Sequence, residues 1–301
     1  MIGYDRLGSN GRFGNQLFQF CALRGIAAHH GYEWCIPPDN YPSTGNYGIH
    51  HPFKMKVKNV GWINNTVNHQ AIYSYDNIKA LNPMTHNLCE KSNVFDKEMF
   101  DTFPDGANLD GYMQTEKYFK HIRKELLEDL QFKDDILEPC QEFISQFEKI
   151  IFLHVRRGDY LKACYDGYHN VMSFGYYEKA LSNFDDDTNV LVSSDDPEWC
   201  LEQDFFSDDR FLINTDIPTY EHEFREGDGE MVKSLVPYTD LCLMSLCNGA
   251  IICASSLGWW GAWLQANRTN PVVAPYNWFG EKSDNDMRDM FPEDWIVLNE
   301  K

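Results

Sequence analysis

Apolar positions follow one rhythm in the second half of the chain and a looser one in the first. Three continuous apolar runs recur at Ile150-Ile151-Phe152-Leu153, Asn189-Val190-Leu191-Val192-Ser193 and Gly249-Ala250-Ile251-Ile252-Cys253, each suited to a strand buried on both faces. Between and after them, helical stretches span Tyr176 to Phe184, Pro237 to Cys247 and Ser256 to Asn267. Asn248-Gly249 stops the second of these, since both residues tolerate the left-handed conformation. Pro271-Val272-Val273-Ala274-Pro275 supplies a further strand. Strands alternating with helices predict a parallel sheet of the nucleotide-binding kind.

The first half opens on Gly11-Arg12-Phe13-Gly14-Asn15-Gln16, a tight loop leading into a helix from Leu17 to about His29, where Leu17, Phe18, Cys21, Ala22 and Ala28 recur near helical spacing. A loop rich in Pro, Asn and Tyr follows through Pro52. Residues 60–115 predict only short strands and loops, and helices follow at Glu116 to Leu130 and Leu137 to Glu148. A chain of 301 residues is long enough for two compact units, and the change of rhythm places them at 1–148 and 149–301.

Composition narrows the function. With 43% apolar and 15% aromatic residues the chain is an ordered globular protein. A net charge of −20 repels the nucleic-acid backbone, so nucleic acid is excluded as a partner. Any phosphate must therefore be met by a local cluster of donors, which singles out Arg156 and Arg157. The nine cysteines are odd in number and never spaced C-x-x-C, and read as reduced core thiols. No signal peptide opens the chain and no run of about 20 apolar residues could span a membrane, so the expected address is the cytosol. The triplets Asn64-Asn65-Thr66 and Asn267-Arg268-Thr269 are then chance occurrences.

In open parallel sheets ligands bind beyond the carboxyl ends of the strands. The three apolar runs empty into His154-Val155-Arg156-Arg157-Gly158-Asp159, Ser194-Asp195-Asp196-Pro197 and Ala254-Ser255-Ser256-Leu257-Gly258. Ser255 and Ser256 stand where strand turns into helix, so backbone N–H groups there can face an anion, although a plain helix cap reads equally from the residues alone. Arg156 can make paired, charge-assisted bonds to a diphosphate, whereas Arg157 suits an internal ion pair with Asp159 or a distant acid. Asp195, Asp196 and Asp240 can each accept from guanine N1–H and N2–H₂ or from ribose hydroxyls, or else serve as acids at helix N-termini. Trp259, Trp260 and Trp263 read as core. The D-x-D patterns at Asp185 to Asp187 and Asp284 to Asp286 do not follow apolar strands, which argues against a metal site and leaves none expected. Asp159, Asp166 and His169 are candidates for a base, and Arg157-Gly158-Asp159 is not read as an adhesion tripeptide, because it follows a buried strand.

Gly11 to Phe20, Gly111-Tyr112-Met113-Gln114-Thr115-Glu116-Lys117-Tyr118-Phe119, HVRRGDY at 154–160 and Ser255-Ser256-Leu257-Gly258-Trp259-Trp260-Gly261-Ala262-Trp263 together resemble the α-1,2-fucosyltransferases of glycosyltransferase family 11, in the family's order. The resemblance implies a GT-B architecture, two Rossmann-like domains facing a central cleft, with GDP-fucose held mainly by the second. It implies inverting transfer of fucose to a galactose hydroxyl of a glycan acceptor, without a metal or further cofactor. By position, Arg156 would bind the β-phosphate, His154 would support it, Ser255 and Ser256 would contact phosphate, and Asp240 would read guanine. The loop from Arg12 to Asn15 would lie beside the acceptor hydroxyl, with Asn15 and Asp159 in catalytic roles. The family more often shows Asn-Ser-Ser-Phe-Ser where this chain has Ala254 to Gly258, and Arg12-Phe13 is a form shared with protein O-fucosyltransferases. A protein acceptor, another GDP-sugar and a non-catalytic carbohydrate-binding module therefore stay open as alternatives. The ten residues ahead of the first motif resemble the bacterial-type enzymes, which lack a membrane anchor.

Overall fold

The computed structural model describes residues 1–8, 11–38, 48–61, 63, 86–89, 93–161, 167–213, 221–226, 230–235 and 237–299. The chain forms two compact units. The first comprises Met1–Gln131, Glu223–Ser234 and Asp286–Met290, and the second comprises Phe132–His222, Leu235–Asn285 and Phe291–Lys301.

The first unit holds a four-stranded sheet of β1 (Ile2–Gly3), β2 (Trp34–Cys35), β3 (His86–Cys89) and β4 (Ala107–Asp110), in the order β2-β1-β4-β3. All its pairings are parallel. Helix α1 (Phe13–His30) starts earlier than its spacing predicts, because Gly14, Asn15 and Gln16 belong to its first turn; Gln16 is buried there and accepts from Gly48 N at 3.0 Å. Helix α2 (Lys97–Thr102) is capped by Asp96, which accepts from Met99 N. It escapes sequence reading because six residues are too short a window for a helical period. The expected helix from Glu116 to Leu130 is instead two short 3-10 turns, Glu116–Tyr118 and Lys120–Ile122, followed by α3 (Arg123–Asp129).

Gly25 brings α1 against the first of those turns. A Cβ there would lie 2.0 Å from the backbone oxygen of Tyr118 and 2.8 Å from Phe119 Cα. Backbone cannot rotate aside as a side chain can. Gly25→Ala is therefore expected to destabilise the protein by about 3 kcal/mol, the upper end for overpacking, despite the gain in helix propensity. An unchanged urea midpoint for this variant would refute the close packing.

The second unit begins with α4 (Asp134–Ile144) and carries a six-stranded parallel sheet: β5 (Ile150–Val155), β6 (Asn189–Ser194), β7 (Phe211–Ile213), β10 (Ala250–Ile251), β11 (Val272–Pro275) and β12 (Ile296–Leu298). Between β7 and β10 run β8 (Glu221–Glu226) and β9 (Glu230–Leu235), which form a separate two-stranded sheet. The helices are α5 (Phe174–Leu181), α6 (Pro197–Leu201), α7 (Tyr238–Leu246) and α8 (Ser256–Trp263). The compact units divide at Gln131/Phe132, where the change of rhythm suggested residue 148. Helix α4 packs on α7, with the Cys140 thiol 3.9 Å from Thr239 O and the Cys242 thiol 4.0 Å from Ile136 O, so its apolar stripe belongs to the second core.

The strand order is β12-β11-β10-β5-β6-β7. Renumbered within the unit this is the doubly wound dinucleotide-binding order, and the chain reverses direction between β5 and β10. All six residues of β5 are buried. Trp259, Trp260 and Trp263 pack on one another at 0–2% exposure, as core. The two units are thus Rossmann-like α/β bodies of the GT-B class. Among the described residues no helix is long and apolar enough to cross a membrane, and seven cysteines are free and buried.

Candidate functional site

The switch point of the second sheet gathers the chemistry. Arg156 follows β5 directly, its side chain 18% exposed. One terminal nitrogen bonds Asp159, and the other lies 3.1 Å from Asp195 Oδ2. Burial works against the guanidinium charge, but Asp195 and Asp159 outweigh it and hold its pKa above the ordinary value. The hydrogen bond to Asp159 occupies one of five N–H donors, so donors remain for an anion.

Asp195, a candidate for the base end of a nucleotide, is engaged by the residues that follow β5. It accepts from Arg157 N at 2.9 Å and pairs with Arg156. Asp159, a candidate base, likewise bonds Arg156. Arg157 takes the internal role foreseen for it, with a distant acid as partner: its Nε donates to Asp196 at 3.1 Å, and its guanidinium carbon lies 3.6 Å from the centre of the Trp199 ring. Asp196 also caps α6, accepting from Trp199 N at 3.3 Å.

His154 is buried at the end of β5. Burial first, and then the Arg156 charge, push its pKa down to about 3, so the ring is neutral at physiological pH. Its Nδ1 lies 3.4 Å from the Cys253 thiol. A Cβ on Gly258 would come within 2.4 Å of the same nitrogen, so only glycine lets α8 sit this close. His154 thus supports the helix that begins at Ser256 and carries no charge to a phosphate itself. Burial raises the Cys253 thiol far above its usual range, which makes the Cys–His pair inert as a nucleophile.

Ser255 is the N-cap of α8 in extended conformation, yet its hydroxyl makes no capping bond. No acid occupies the first turn. The first turn of α8 consequently presents backbone N–H groups and two hydroxyls beside the end of β5, the arrangement in which helix N-termini hold anions.

Several tyrosines that sequence reading overlooked brace these strand ends. Tyr160 OH donates to Ala254 O at 2.8 Å, joining the ends of β5 and β10. Tyr176 OH donates to Ile252 O at 2.7 Å and Tyr177 OH to His154 O at 3.1 Å, both from α5. Nothing in their spacing marks them beyond an apolar helix face. His169 stacks on Tyr160 with ring centres 4.4 Å apart, and burial, opposed by Asp159, lowers its pKa. Asp166 lies outside the described residues.

Asp240, in the first turn of α7, is partly buried beside Ser193 at the end of β6. Burial raises its pKa to about 6; the Ser193 hydrogen bond opposes this and the charge of Asp195 adds to it. A carboxylate perturbed in this way, beside the end of β6, is a candidate functional position. Of the two D-x-D patterns, Asp185 and Asp187 both pair with Lys149, at 3.2 and 3.3 Å, and Asp286 pairs with Arg288.

In the first unit, Arg12 is exposed at the start of α1, and its carbonyl accepts from Asn15 N at 2.9 Å. The Asn15 side-chain oxygen accepts from Gln114 Nε2 at 2.8 Å.

The chain is similar to known glycosyltransferases. An α-1,2-colitosyltransferase of Escherichia coli is 27% identical, covering 96% of each chain. The galactoside 2-α-L-fucosyltransferase SEC1 of Bos taurus is 23% identical over 89% of this chain and 66% of its own length. Among solved structures, a FUT1 mutant of Arabidopsis thaliana in complex with GDP superposes with a TM-score of 0.51 at 10% identity, covering 98% of this chain and 75% of that one, and shows the shared fold. The sequence profile described as glycosyl transferase family 11 matches residues 4–299, and the chain belongs to that family of glycosyltransferases.

Proposed function

We propose that this chain transfers L-fucose from GDP-β-L-fucose, with inversion, to a galactose hydroxyl of a glycan, forming an α-1,2 linkage. The observation that carries the reading is Arg156 at the switch point of the second sheet, facing the uncapped start of α8. In the transfer, the bond from the acceptor oxygen to the anomeric carbon forms as the bond to the β-phosphate breaks. Negative charge grows on the departing diphosphate, and Arg156 with the Ser255–Ser256 helix end stabilises it. Asp159 and Asp195 act as positioning residues that hold Arg156. Asp240 accepts from guanine, and Asn15 lies beside the acceptor hydroxyl.

The name of the full-length Escherichia coli relative favours a second reading, in which the donor carries colitose. One experiment separates the two. The protein is incubated with GDP-fucose or GDP-linked colitose and galactose-terminated acceptors, with and without EDTA, and product linkage is read by NMR. Transfer of fucose to the galactose 2-hydroxyl, undiminished by EDTA, is expected. Faster transfer from GDP-linked colitose would replace the donor assignment, and no transfer to galactose would replace the acceptor.

A further inference from the structure

The four-stranded sheet has a switch point of its own. Strands β1 and β4 are neighbours, with β2 beyond one and β3 beyond the other, so the chain leaves β1 toward one edge and reaches β4 from the opposite one. Ligands bind at such points. Here the residues beyond the strand ends are locked unusually hard. Tyr4 Oη bonds both Gly111 O and Gly111 N, the latter at 3.1 Å. Arg6 pairs with Asp110 at 3.2 Å. Met113 is fully buried with φ of 53°, and among the described residues it alone of the non-glycines has positive φ.

A long side chain in the left-handed region is disfavoured and persists only where its surroundings over-determine it. What this turn achieves is to send residue 114 back toward α1, where Gln114 Nε2 meets Asn15 Oδ1 at 2.8 Å. The opposite end of the same amide is walled by Gly11. A Cβ there would lie 2.4 Å from Asn15 Nδ2, and Gly11 has φ of 83°, so glycine is required on both counts.

We propose that Gln114 is a positioning residue for transfer: by donating to the Asn15 oxygen it fixes the amide with its NH₂ on the Gly11 side, where only a glycine clears it, so that Asn15 serves the reaction as a hydrogen-bond donor. This rests on the proposed placement of Asn15 beside the acceptor hydroxyl. An amide whose oxygen is occupied cannot accept a proton or hydrogen bond from the acceptor; it can orient an oxygen of acceptor or donor through N–H.

The test measures kcat and donor KM separately from pH 5 to 9 for Gln114→Ala, Gln114→Glu, Asn15→Ala and Asn15→Asp, with melting temperatures as a check on folding. Gln114→Ala is expected to lower kcat about 10- to 100-fold with donor KM little changed, as for a displaced reacting group. Gln114→Glu can donate only while protonated. With an ordinary carboxyl near 4.3 only about a sixth is protonated at pH 5, so its kcat should be a minor fraction of wild type there and fall further as the pH rises, a profile a merely structural role would not produce. Asn15→Asp, which removes the N–H donor, should be as impaired as Asn15→Ala. Wild-type kcat in both Gln114 variants, or an equal loss at every pH in Gln114→Glu, overturns the proposal. Full activity of Asn15→Ala instead overturns the underlying placement of Asn15. The bond itself is read without turnover: the Gln114 side-chain amide should show slowed solvent exchange by NMR that Asn15→Ala abolishes, and unprotected exchange in the wild type also overturns the proposal.

Discussion

Arg156→Ala lowers kcat/KM for GDP-fucose by about 10²- to 10⁴-fold, the equivalent of two charge-assisted hydrogen bonds of about 1.5–3 kcal/mol each. The loss should fall mainly on kcat, because the charge that Arg156 meets grows as the diphosphate departs. The variant also leaves Asp159 and Asp195 without their shared cation, but these side chains keep 13% and 22% exposure and can be rehydrated. A modest fall in melting temperature with an intact far-UV spectrum is the expected cost. Arg156→Lys restores a point charge but cannot bridge two carboxylates and a phosphate with one planar group, so it recovers only part of the activity. Wild-type kcat/KM in Arg156→Ala would sink the donor-site assignment.

Asp240→Asn acts in opposite directions on function and stability. The carboxylate that accepts from guanine becomes an amide that presents a donor to the same edge, and donor KM should rise about 10²-fold. Folding, however, improves. The folded chain holds the Asp240 proton up to about pH 6, against an ordinary value of 3.8, so ionising it in place costs about 3 kcal/mol once the pH is well above 6. The sign is that of a raised carboxyl: stability is complete below about pH 4 and declines as pH rises through 6. Removing the charge should therefore raise stability by about 1–3 kcal/mol at pH 8, with the gain shrinking toward pH 5. Wild-type donor KM should itself rise below about pH 6, and that of Asp240→Asn should not. Equal urea midpoints for the two proteins at pH 8 would contradict the buried placement.

The parallel sheet of the second unit was legible because a strand buried on both faces must be continuously apolar. The runs at 150–153, 189–193 and 249–253 became β5, β6 and β10 within a residue or two. Edge elements were not: β7 is three residues, α2 is six, and α4 joins the second unit through contacts with α7 that no local spacing encodes. Arg156, the Ser255 helix start and Asp240 were likewise legible as chemistry at strand ends. The pairing of Asp195 with Arg156 was not legible, since it follows from β5 and β6 lying side by side.

By itself the sequence determined which residue types stand after which apolar runs, and hence a nucleotide-binding α/β chain with its cations at the end of β5. Only the tertiary structure decided which side chains meet. The order β12-β11-β10-β5-β6-β7 brings Arg156 beside Ser255, although 98 residues of chain lie between them. Adjacency in a sheet is set by long-range packing of faces, and it is this adjacency that commits Asp195 to Arg156 and sets Cys253 against His154.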